Sequence, residues 1–154
     1  MSFSKIKPLL FVLVLAFSLP TWAGLKELAE AKSQNYQTLL QYYGSLHSTA
    51  KAKDAKTFCA KVAASKPVLE KIFEDDNLLI DALREVNDQD YYDYATHLEE
   101  NSFSPLFSYG AHSNLCQSGN FGNFEETIQS SHYHVVNINF LILNHQIWRE
   151  SYGL

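Results

Sequence analysis

One methionine, two cysteines, four prolines and no stretch that alternates polar with apolar mark what this 154-residue chain does without. Met1 is the sole methionine, so a haem held between Met and His in a helical bundle is excluded. The two cysteines, Cys59 and Cys116, stand 57 apart, which rules out a CxxC redox pair or a CxxCH haem attachment. No asparagine opens an N-x-Ser/Thr sequon, and there is no HExxH zinc motif, phosphate-binding P-loop or GxSxG nucleophile elbow. Period-two alternation is missing over any useful length, which argues against sheet. Basic residues are also short: 12 Lys and Arg face 17 Asp and Glu, for a net charge of −5. An acidic chain repels nucleic acid and anionic lipid, so neither is an expected partner.

What is present begins with an address. Lys5 and Lys7 precede an apolar run from Leu9 to Leu19, and Thr21-Trp22-Ala23 supplies small residues at the positions a signal peptidase reads. The order is that of a secretory signal over residues 1–23, with cleavage expected after Ala23. The run is too short to span a bilayer comfortably and Pro20 interrupts it, so no stable membrane anchor is expected after cleavage. No cysteine follows the cleavage point to carry a lipid. Lys5 and Lys7 leave with the signal, which makes the remaining chain more acidic still. The expected destination is periplasmic or secreted, and an even cysteine pair there is expected to form a Cys59–Cys116 disulfide.

Residues 24–154 read as one helical domain, an all-α bundle of four to five antiparallel helices. Leu25, Leu28, Leu39, Tyr43 and Leu46 give a first helix over about 25–49 an apolar stripe. Asp54 is placed to cap a second helix carrying Phe58, Cys59 and Val62. Ser65 and Pro67 suggest a restart, and Asp75-Asp76-Asn77 a break before Leu78–Val86. Asp88 or Asp90 starts the next segment, through Tyr91, Tyr94 and Leu98. Ser104-Pro105 suggests a short helix inside a loop that carries Gly110, Gly119 and Gly122. Asn123 with Glu126 resembles a capping box at the head of the longest helix, over about 124–150.

Two constellations are candidates for chemistry. Asp88, Asp90 and Asp93 alternate with Tyr91, Tyr92 and Tyr94. The pattern fails as a calcium loop, because Asp93 stands where glycine is required. A dense Tyr/Asp patch instead suits protein recognition, with rings giving rigid contact area and carboxylates meeting a cationic partner. An inhibitor or immunity protein acting on a cationic cell-wall enzyme or toxin fits this size, export and charge. The alternative is a small-ligand or metal pocket made by His134, Asn137 and His145. His132 and His134 diverge on a helix, and His134 and His145 are separated by roughly 16 Å along one, so neither pair makes a mononuclear metal site. Asn137, Asn139 and Asn144 are expected to be buried beside those histidines. No cofactor is expected, and a small hydrolase ranks last.

Overall fold

A computed structural model describes residues 22–154 apart from Asn123, without the side chains of residues 22–23 and 102–104. The expected signal therefore lies outside the described residues, except that the backbone of Trp22 and Ala23 opens the first helix. Four helices follow in order: α1 (Trp22–Lys51), α2 (Ala55–Glu85), α3 (Gln89–Ser118) and α4 (Glu125–Tyr152). The turns between them are short, so successive helices run antiparallel. Lys32 of α1 meets Asp76 of α2, Cys59 of α2 meets Cys116 of α3, and Tyr91 of α3 meets Trp148 of α4. The ring closes where Ala29 near the start of α1 meets His145 near the end of α4.

Each helix buries a seam spaced alternately three and four residues. In α1 the seam is Leu25, Ala29, Lys32, Tyr36, Leu39, Tyr43, Leu46 and Ala50, all buried. In α2 it is Phe58, Val62, Ser65, Leu69, Ile72, Asp76, Leu79 and Leu83. This is the spacing that keeps one face of a helix turned to its partners along the whole length of a left-handed bundle.

Several expected helix ends are absent. Pro67 does not restart a helix; α2 runs through it, because Val62, Leu69 and Ile72 continue one buried face on both sides. Ser65 Oγ donates to the Val62 carbonyl at 2.7 Å, within the turn the proline disturbs. Asp75-Asp76-Asn77 does not break the chain either, since α1 supplies partners for both acids: Lys32 for Asp76 and Asn35 for Asp75. The expected new start near Asp88 is present: the chain breaks at Val86–Asp88, between α2 and α3. Asp54 and Asp88 do cap, accepting from the backbone N–H groups of Thr57 and Asp90. The supposed glycine-rich loop is mostly helix: α3 continues through Pro105 and Gly110 and stops at Gly119, which takes the left-handed conformation at φ 66°.

The expected capping box falls on Asn123, outside the described residues. Phe124 holds the N-cap position of α4 at φ 67° with no side-chain cap. That backbone state is costly for an aromatic residue. Burial of the ring and its stack on Phe121, centroids 4.7 Å apart, hold it there. α4 spans 28 residues against 31 for α2, so it is not the longest helix.

The core forms two apolar halves. One gathers Leu25, Leu79, Leu83, Tyr91, Leu98 and Trp148. The other gathers Tyr43, Leu46, Phe58, Leu69, Ile72, Phe124 and Leu141 around the Cys59–Cys116 bridge, whose Cα atoms lie 5.5 Å apart.

Candidate functional site

Between those halves lies a belt of buried polar side chains. Lys32 and Asp76 occupy seam positions where apolar residues would be usual, and their charged atoms meet at 2.5 Å. Both are almost fully buried, at 3% and 1% exposure. Lys32 Nζ also lies 4.2 Å from the centre of the Tyr36 ring. Burial pushes the Lys32 ammonium down and the Asp76 carboxyl up, each partly opposed by the other's charge. Asp76 Oδ1 has no hydrogen-bond partner among the described residues.

One layer away, Tyr94 of α3 and His145 of α4 are joined by a short hydrogen bond. His145 Nε2 lies 2.8 Å from the Ala29 carbonyl oxygen. A carbonyl only accepts, so Nε2 carries the proton, and Nδ1 accepts from the Tyr94 hydroxyl. Burial lowers His145 to about 4, so it is neutral at ordinary pH. Burial also raises the Tyr94 hydroxyl well above its usual value. Each of the four helices thus contributes one polar group at this level.

Deeper in the disulfide-bearing half, Ser108 Oγ and His134 Nε2 are 3.0 Å apart, and the His134 ring stacks on Tyr43 at 4.5 Å. His112 packs edge-on against Phe58 and near His134, with centroids at 5.4 and 6.3 Å. Burial lowers it to about 4. A Ser–His pair invites a hydrolase reading, but Ser108 is buried and His134 makes no hydrogen bond to a carboxylate among the described residues. No three potential metal ligands come together among the described residues.

The candidate ligand pocket is split by this geometry. His134 and Asn137 border a void shared with Lys32, Asp76 and Asn101, of only about 10 Å³. That volume holds at most one water. His145 belongs instead to the Tyr94 pair, and it borders an open groove of about 480 Å³ between α1 and α4. The cation of that groove, Arg149, is already engaged by Glu30, Ser33 and the Leu154 carbonyl. Asn137 and Asn144 are half-buried rather than buried, and Asn139 is exposed, donating to Val135 on its own helix.

The Tyr/Asp patch is also divided. Asp88, Asp90, Tyr92 and Asp93 are exposed, whereas Tyr91 and Tyr94 belong to the core, at the helical spacing that leads on to Leu98. Tyr94 stacks on Trp148 at 4.0 Å, and Tyr91 meets Tyr152 at 4.9 Å. The acids are partly engaged: Asp90 accepts from the Tyr152 hydroxyl and Asp93 from Gln89. Tyr92 lies 5.8 Å from the Arg84 guanidinium, which also pairs with Glu99.

α4 carries a second apolar stripe besides the buried one. Tyr133, Val136, Phe140, Leu143 and Ile147 all point outward from α4, each between 53% and 64% exposed. Their spacing of three, four, three and four was visible as a pattern, but only the packing shows that it is not the buried side. Compared with known proteins, this chain matches no family model, no curated protein sequence and no solved structure.

Proposed function

We propose that this chain is an exported, non-enzymatic helical module that binds protein. The observation that carries the reading is the outer face of α4. A surface helix normally has one apolar side; α4 has two, one buried in the core and one open to solvent. A contiguous exposed apolar patch of this kind is the usual mark of a docking surface. The interior supports the same reading from the other side, since its polar groups largely satisfy one another around a void too small for a substrate. Export rests on the arrangement of Lys5, Lys7, the apolar run and Ala23, and the disulfide is compatible with an oxidising periplasmic or extracellular destination.

A second surface favours a cationic partner. Asp88, Asp90, Asp93 and Tyr92 lie exposed together around the turn from α2 into α3. An inhibitor or immunity protein that meets a basic cell-wall enzyme or toxin would use such a rim to steer encounter. The two surfaces separate in one experiment. The oxidised, exported protein is used to capture partners, among them a differently tagged copy of itself, and is compared with Phe140→Glu and with Asp88, Asp90 and Asp93 all changed to Asn. Loss of capture in Phe140→Glu supports the α4 face. Loss only in the Asn variant moves the function to the acidic rim, and unchanged capture by both ends the proposal.

A further inference from the structure

We infer that the outer face of α4 is a self-association surface whose occupant is α4 of a second copy of this chain. The inference rests on the docking role proposed for that face and names its partner. Tyr133, Val136, Phe140, Leu143 and Ile147 repeat every seven residues as two positions, three and four apart. That repeat is the knob pattern by which one helix lies along another; a compact pocket or a flat sheet edge does not ask for it.

The residues flanking the stripe say what kind of helix. His132, Asn137, Asn139, Asn144, Gln146 and Ser151 stand at the positions that in a paired coil face the partner's edges. Five are neutral amides or a hydroxyl, His132 is an imidazole and none is an acid, on a chain whose net charge is −5. Flanks of a single charge sign select an opposite partner and reject an identical one. The acids of α4, Glu125, Glu126 and Glu150, stand beyond the two ends of the stripe, so along the stripe itself two copies of an acidic chain approach without carboxylates facing each other, and the flanks present nothing to a cationic partner. They also carry no lysine or arginine, which an interfacial helix uses to hold a lipid surface.

The area is adequate. The five side chains expose on the order of 500 Å² per copy, and with their flanks a pair buries about 1,200 Å², the lower range of specific protein interfaces.

The test is the solution mass of the exported, oxidised protein, measured by light scattering or sedimentation over a concentration series. The expected result is twice the mass of one chain, falling to one chain in Phe140→Glu with helical circular dichroism unchanged. Leu78→Glu, which alters an exposed leucine on α2 diagonally across the bundle, is expected to keep the doubled mass. Should Phe140→Glu lose its helical signal, Ile147→Glu near the end of the stripe gives the same reading. A wild-type protein with the mass of one chain throughout, or a doubled mass that survives Phe140→Glu, overturns the inference. If the wild type is a single chain yet captures a different protein through Phe140, the second copy is wrong and the docking role stands. If it is a single chain that floats with zwitterionic lipid vesicles in a Phe140-dependent way, both are wrong.

Discussion

The two halves of this bundle's core are held by different means. The half around Phe58, Leu69 and Phe124 has a covalent tie, Cys59–Cys116, joining α2 to α3. The half around Leu83, Leu98 and Trp148 has none, and at its border the helices are keyed to one another by Lys32–Asp76 and Tyr94–His145. A disulfide limits the unfolded chain without choosing among ways to pack the folded one. A buried polar pair does the reverse: it gains little over an apolar pair, but it penalises every register in which its members fail to meet. An all-apolar four-helix seam with alternate spacing can slide by one heptad. Lys32 and Asp76 meet in one alignment of α1 on α2, which we read as the reason for a lysine at a core position.

The largest expected effect comes from breaking that key from one side. Asp76→Ala strands the Lys32 ammonium in the core and is expected to cost about 3–5 kcal/mol, read by urea unfolding. Replacing both partners, Lys32→Met with Asp76→Leu, is expected to recover most of that loss. If the double variant is as unstable as the single one, the pair is doing something other than alignment.

Removing the covalent tie sharpens the contrast from the other half. Cys59→Ser with Cys116→Ser is expected to cost about 3–4 kcal/mol on the chain-entropy model, with the helical signal kept at low temperature. Equal losses of folded order in both halves, followed by hydrogen exchange, would count against treating them as separately held.

Acid tests both halves together, since each contains one buried neutral histidine. His145 and His112 are lowered to about 4 in the folded protein, against 6.5 for a free imidazole. The unfolded chain therefore binds more protons between those values, and stability falls as pH drops from 6.5 toward 4. The expected loss is up to about 3 kcal/mol per histidine across that window. Asp76, whose carboxyl is pushed up by burial, acts in the opposite sense. His112→Gln and His145→Gln should each flatten the pH slope of the unfolding midpoint, and a slope unchanged in both would assign the acid loss elsewhere.

The smallest effect isolates one hydrogen bond. Tyr94→Phe keeps the stack on Trp148 but leaves His145 Nδ1 without its donor. The expected cost is about 1–2 kcal/mol. The His145 imidazole should also titrate differently by NMR, a change that loss of ring packing alone would not produce.

How much of this could be read in advance differs from residue to residue. Cys59 and Cys116 could be paired from count and expected compartment alone. The helices were legible because Leu39, Tyr43 and Leu46, or Val62, Leu69 and Ile72, repeat at helical spacing. Pro67 and the Asp75-Asp76 pair misled, because local propensity marks them as breaks, whereas one continuous buried face carries α2 through the proline and α1 supplies partners for the acids. Tyr91 and Tyr94 looked like surface because acids surround them, yet the two tyrosines, three apart on one face of the helix, turn inward while Asp90 and Asp93 turn outward. Asn137, Asn139 and Asn144 were expected inside, but their faces turn toward the rim.

The residue pattern by itself determined the helical class, the disulfide and the acidic balance of charge. These depend on spacing, count and composition along one chain. Tertiary structure alone decided that Lys32 meets Asp76, that Tyr94 meets His145, that His134 and His145 do not share a pocket, and that the apolar stripe of α4 is left open. A helix carries its whole circumference in its sequence, and which part is buried depends on where its neighbours lie.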